Sequence, residues 1–188
     1  MEKGKTSKGS RTQNNGLPGV PLTLDGWSIL HQMFRIHWAD WKELGAQEQQ
    51  KVVEETGPVL QKMEQGKDGQ SAFYSLVGHK GDLMAFHFRR SFEELNTAEL
   101  ELANTSLARF LEPTTSYLSV LELGLYQRTG DFYGELNYRG IQPGSPEWSQ
   151  AVEAELEQQR KAMGPRLWPK IPPRRHLCFY PMGRKRGE

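Results

Sequence analysis

Between residues 70 and 89 two apolar runs are separated by Gly78-His79-Lys80-Gly81, and this arrangement restricts the fold more than any other stretch. Runs over Gln70–Val77 and Asp82–Arg89, joined by a glycine-bounded turn, predict an antiparallel hairpin. A helical pattern flanks the hairpin on each side. Upstream, from Ala39 to about Gln65, Trp41, Leu44, Val52, Val53, Val59, Leu60 and Met63 form a broken apolar stripe, which Gly57-Pro58 is expected to kink or divide. Downstream, Ser91-Phe92-Glu93-Glu94 reads as a capping box, with a serine oxygen for an orphan amide and a glutamate three residues on. Behind it Phe92, Leu95, Glu99 and Leu102 keep helical spacing to about Asn104. A strand lies outside each helix. From Trp27 to Trp38, Leu30, Phe34, Ile36 and Trp38 alternate with Trp27, Ile29, His31 and Met33, so both faces should be covered. Pro113 opens the other strand, Thr114 to Leu123, where Tyr117, Ser119, Leu121 and Leu123 share a face. The order β-α-β-β-α-β is that of the split βαβ unit, which places the chain in the α+β class with a ferredoxin-like fold.

The remainder divides into two ends. Residues 1–21 are basic and lack an apolar core, so they read as a disordered tail and not a signal peptide. After the unit at 22–124, residues up to Gly144 are rich in Gly and Tyr without a clean period and are expected to be a loop. Ser145-Pro146 then supplies an N-cap and a first-turn proline. Trp148, Val152, Leu156 and Met163 make a narrow stripe, expected to stop at Gly164-Pro165. Last comes RLWPKIPPRRHLCFYPMGRKR, Arg166 to Arg186, with seven basic side chains and no acid. Its apolar middle, His176 to Tyr180, reads as one buried strand. With it, 125–188 becomes a loop, a helix and the first strand of an incomplete second unit. The basic stretch admits two readings: a core strand with a wet cationic end, or an anion pocket in which a phenol stands among guanidinium groups suited to carboxylates.

Several function classes fall away. A net charge of +1 argues against a dedicated nucleic-acid binder, although both ends are basic. Aromatic residues do not alternate with the cations as stacking platforms would. The lone Cys178, inside an apolar run, reads as a small buried hydrophobe and fits a reducing, cytoplasmic compartment. No stretch approaches the roughly 20 apolar residues needed to span a bilayer. None of His31, His37, His79, His87 and His176 has a partner at convincing metal spacing, so no metal ligand is assigned, and His87 reads as a satisfied core histidine. No phosphate loop, nucleophile elbow or Ser/His/Asp set appears. Tyr180 and the cations around it are left as the constellation with unusual chemistry.

Six stretches stand out together: WSILHQMFRIHWADW (27–41), YSLVGHKGDLMAFHF (74–88), SFEELN (91–96), YLSVLE (117–122), RLWP (166–169) and above all HLCFYPM (176–182). They resemble the chlorite dismutase family, within it the coproheme decarboxylases that make haem. The resemblance runs from about Leu22 to the end. It implies a duplicated ferredoxin-like fold of the dimeric α+β barrel type, in a subunit of a ring, usually a homopentamer. It also implies a reaction: iron coproporphyrin III (coproheme), with hydrogen peroxide as oxidant, loses carbon dioxide from two propionates to become haem b. In that scheme Tyr180 becomes the radical that takes hydrogen from a propionate, and Arg166 resembles the propionate anchor. Arg184 and Lys185 resemble further cofactor-binding cations. Where the family often places a lysine four residues after the tyrosine, this chain has Arg184, which keeps the charge but is a poor proton donor. Leu123-Gly124-Leu125 is apolar where some relatives carry polar propionate contacts. The family's iron-binding histidine and distal residues lie in a second half beyond Glu188. The expectation is therefore a truncated or split chain, or one that has kept only an interface. The alternatives are a non-catalytic ferredoxin-like module for porphyrin binding or assembly, and a chlorite dismutase-like haem enzyme.

Overall fold

The computed structural model describes residues 20–66 and 69–183. The elements are β1 (Thr23–Ile36), α1 (Trp38–Glu43), α2 (Ala46–Glu64), β2 (Gly69–Ser75), β3 (Leu83–Arg89), α3 (Phe92–Ala103), β4 (Leu111–Gly124), α4 (Tyr126–Tyr138) and α5 (Pro146–Leu167). Four strands form one sheet in the order β2-β3-β1-β4, which is the expected ferredoxin-like α+β arrangement. β3 runs antiparallel to both neighbours, with Leu30 opposite His87 and Ser71 also opposite His87. The described residues fall into two compact units, one of 25–122 with 164–183 and one of 20–24 with 123–163.

Register assigns the faces of the sheet in the first unit. Leu30, Gln32 and Phe34 of β1 lie level with His87, Ala85 and Leu83 of β3. On that side Phe34, Met63, Ala85 and Leu102 form the core, with Val59, Leu60, Phe73 and Leu111 against it. Each large apolar side chain buried there contributes roughly 2 kcal/mol by leaving water. Gln32 Nε2 donates to Glu99 Oε1 at 2.7 Å and ties α3 to β1. On the opposite face stand Trp27, Ile29, His31 and Met33 of β1, level with Met84, Phe86 and Phe88 of β3. Among the described residues, α2 and α3 pack on the first face, through Met63 and Leu102.

Local chemistry explains the boundaries. The hairpin turn closes where expected: Gly78 takes φ +71°, and Gly81 N donates to His79 Nδ1 at 2.9 Å. Ser91 caps α3 by accepting from Glu94 N at 3.3 Å, while the Glu94 carboxylate reaches back to Arg90 N at 2.9 Å. Gly57-Pro58 does not divide the second helical region; Pro58 sits inside α2. The carbonyl that Pro58 leaves without a donor belongs to exposed Glu54, where water replaces the lost bond. The break falls instead at Leu44-Gly45, where the Glu48 side chain accepts from Gly45 N at 3.3 Å.

The second unit holds the largest departure from expectation. Residues 126–138 are helix, not loop. Thr129, Phe132, Tyr133 and Leu136 are its buried residues, and Phe132, Tyr133 and Leu136 join Trp148 of α5 in a core. Ser145 caps α5, with Trp148 N donating to its Oγ at 3.0 Å. That helix runs through Pro165 to Leu167, past its expected stop, because the freed carbonyl of Lys161 is on an exposed residue. Arg128 clamps the two helices: Nε and Nη2 donate to Glu155 Oε1 and Oε2, both at 2.7 Å. Bonding to Arg128 holds the buried Glu155 carboxyl below the usual carboxylate range. Glu155→Ala removes a bidentate partner from a guanidinium that keeps part of its hydration. Its expected cost is about 1–2 kcal/mol, read as a lower urea midpoint at unchanged slope.

No described helix is long and apolar enough to cross a membrane. The basic amino-terminal tail lies, as far as residue 19, outside the described residues.

Candidate functional site

Residues 168–183 form neither helix nor strand; they are an extended strap laid on the face of the sheet that carries Trp27, His31 and Phe86. The strand expected at His176–Tyr180 is absent from the described sheet, because a strand needs a partner's backbone and this segment meets side chains instead. Cys178 is correspondingly exposed rather than buried. Only Phe179 within 176–180 is half-buried, while its neighbours on either side face out.

Two sets of contacts hold the strap. At its start, Leu167 is buried, and its backbone lies directly over Gly26 of β1. Trp168 meets Trp27 edge-on with centroids 4.8 Å apart, and Trp27 Nε1 donates to Pro169 O at 3.0 Å. The Arg90 guanidinium stands 5.8 Å from the Trp27 ring and 5.2 Å from that of Trp168, close enough for cation–π attraction to both. Gln70 of β2 completes this anchor, donating to Pro169 O at 3.4 Å and accepting from Ile171 N at 2.7 Å. At the far end Phe179 stacks on His31 with centroids 4.3 Å apart, and the other side of the stack is Phe86, 4.4 Å from His31. Tyr117 of β4 leans on Phe179 at 5.7 Å. Burial pushes the His31 imidazole below its usual pKa, so the ring in this stack is neutral near physiological pH.

Of the expected site residues, Tyr180 lies on this strap and Arg166 just before it. Arg166 is exposed in the last turn of α5, where a cation complements the helix dipole. Tyr180 is 65% exposed, one residue beyond the Phe179 stack. The anchors of the strap thus hold the backbone beside each residue, and both side chains are exposed. Arg184 and Lys185 lie outside the described residues. Between the strap and the hairpin turn is a cleft of about 770 Å³, lined in part by Met33, Met84, His79, Arg175 and Cys178. Among the described residues no cluster of three or more His, Cys, Asp or Glu side chains could hold a metal ion.

Sequence reasoning missed Gly26, Trp27, His31 and Arg90 as supports. The alternation of Trp27 and His31 was visible, but not that the last segment would meet their side chains rather than their backbone.

Residues 46–187 match the chlorite dismutase family. The chain belongs to that family. A coproheme decarboxylase of Staphylococcus saprophyticus is 32% identical over 175 residues, covering 92% of this chain. The chain spans 61% of that relative's length. Among solved structures, a haem-binding protein from Thermus thermophilus superimposes with a TM-score of 0.54 at 27% identity, over 72% of this chain and 51% of that one. The chlorite dismutase match includes the strap, Arg166 and Tyr180.

Proposed function

We propose that this chain carries the propionate-oxidising residues of a coproheme decarboxylase, acting in the cytoplasm as a subunit of a homo-oligomeric ring, a pentamer on the family's pattern. In this reading residues 22–124 form one ferredoxin-like unit and 125–188 begin a second. The observation that carries the reading is the strap: Trp168, Pro169 and Phe179 are pinned to the sheet, while Arg166, two residues before it, and Tyr180, on it, are exposed. An exposed guanidinium and an exposed phenol fit the carboxylate arms of a porphyrin, as a buried pair would not.

The iron porphyrin, when bound, supplies with peroxide the oxidising equivalents. The chain's residues supply position. The Arg166 guanidinium pairs with a propionate carboxylate through its forked donors and fixes the β-carbon. The Tyr180 phenol, oxidised by loss of an electron and its proton, takes a hydrogen atom from that β-carbon. Loss of one further electron breaks the bond to the carboxylate, leaving a vinyl group and carbon dioxide. Each carbon dioxide thus consumes one peroxide and one proton and yields two waters. Arg184 and Lys185 add positive charge beside the same carboxylates in this scheme.

The test is to supply the protein with iron coproporphyrin III and hydrogen peroxide and to measure carbon dioxide together with the porphyrin products. Tyr180→Phe is expected to bind the porphyrin with an unchanged Soret titration and to release no carbon dioxide above background. Arg166→Ala is expected to raise KM about tenfold, the loss of one charge-assisted pair. Carbon dioxide release that survives Tyr180→Phe would end this assignment, and porphyrin binding without any release would favour a binding module.

A further inference from the structure

Resting on that reading of Tyr180, we propose that His31 is a positioning residue for Tyr180, acting through Phe179. Among the described residues the last hydrogen bond from the strap to the sheet is made by Ile171, to Gln70 Oε1 at 2.7 Å. Residues 172–178 are exposed, so the backbone at 180 is located by whatever holds Phe179. The Phe179 ring lies on His31 at 4.3 Å and 27°, and His31 lies on Phe86 at 4.4 Å and 20°. The three rings form one stack that rises from β3 through β1 to the strap. Tyr117 closes its flank at 5.7 Å.

The stack also sets direction. In extended chain successive side chains point to opposite sides. With Phe179 turned to the sheet, Cys178 and Tyr180 must turn away, and both are exposed. Were Phe179 released, nothing described beyond Ile171 would hold the backbone that carries the phenol. A planar ring suits position 31 because it presents a face to Phe86 and a face to Phe179 at once. An alanine there would leave the two phenyl rings with a gap, and a phenylalanine would refill it.

The experiment uses the full chain with His31→Ala, His31→Phe and Phe179→Ala, and two readouts. Backbone 15N order parameters over residues 176–183 report whether the strap is held. Decarboxylation of iron coproporphyrin III with peroxide reports kcat and KM. His31→Ala is expected to lower those order parameters from the rigid range of about 0.85 to below about 0.6, and to lower kcat with KM nearly unchanged. His31→Phe is expected to restore both. Phe179→Ala, on an exposed segment that leaves the sheet core intact, is expected to lower the same order parameters if His31→Ala fails to fold. Unchanged order parameters in the alanine variants, or a loss that phenylalanine at 31 does not restore, overturns the proposal. If the wild-type protein releases no carbon dioxide, the order parameters still decide the His31 clamp, and only the decarboxylase reading is lost.

Discussion

Gly26→Ala is expected to detach the strap from the sheet. Gly26 is buried in β1, and a β-carbon built there would overlap the carbonyl oxygen, carbonyl carbon and Cα of Leu167. All three are backbone atoms at the end of α5, so no rotamer change can clear them. Gly26 is not among the glycines with positive φ, which means that its requirement is for room and not for an unusual conformation. Leu167, Trp168 and Pro169 would have to withdraw from Trp27, breaking the indole bond to Pro169 O and the contact of the two tryptophans. The expected loss is about 3 kcal/mol, at the upper end for overpacking, because backbone rather than a flexible side chain must move. Gly134→Ala is the control: nothing lies within 4 Å of its added carbon, and it is exposed inside α4 with no proline after it. That variant should gain about 0.5–1 kcal/mol from helix propensity. Urea denaturation compares the two, and tryptophan fluorescence follows the Trp27–Trp168 contact. A Gly26→Ala protein of wild-type stability with that contact intact would contradict the packing described.

The second large effect concerns acid. His87 is completely buried, with Nδ1 at 2.8 Å from Ser71 Oγ and no hydrogen-bond partner for Nε2 among the described residues. Burial, with further depression from the nearby Arg89 and His31 charges, lowers its pKa from 6.5 to about 4. The native state therefore refuses a proton that the unfolded chain accepts. Above the unfolded value the two states bind alike and nothing is lost. As pH falls from 6.5 towards 4, protonation of the unfolded chain draws stability away, and below the folded value the loss levels off. The total is about 3 kcal/mol. Urea midpoints measured across this interval should fall steeply in the wild type and less steeply in His87→Leu, in which the group is removed. Parallel pH profiles for the two proteins would show that His87 carries none of the acid sensitivity.

The split βαβ order was legible because each of its elements is signalled locally. The Gly78–Gly81 turn, the Ser91 cap and the alternation around His31 need no distant partner to be recognised. Helix α4 was not, even though Thr129, Phe132, Tyr133 and Leu136 keep a helical interval. Gly130 and Gly134 interrupt that interval and weaken the intrinsic preference, and burial of the apolar side chains outweighs them. Pro58 and Pro165 misled for a shared reason: each removes one bond at a solvated carbonyl, which costs less than ending a helix that has a buried face. At the carboxyl end the residue types were informative and the geometry was not. HLCFYPM alternates as a strand does, but whether such a run pairs by backbone or rests on side chains is decided by the surface waiting for it. Here that surface is Trp27, His31 and Phe86, residues more than eighty positions upstream.

That separation bears on the order in which the protein takes shape. The bond from Trp27 to Pro169 closes a loop of 142 residues, and those from Gln70 to Pro169 and Ile171 close loops of about a hundred. Ring closure on that scale is entropically unfavourable until both ends are already rigid. The hairpin and its flanking helices therefore form a template before the final residues have anything to land on. Under the proposed function, Arg166 and Tyr180 flank those late contacts, so the groups that would meet a propionate take their places last.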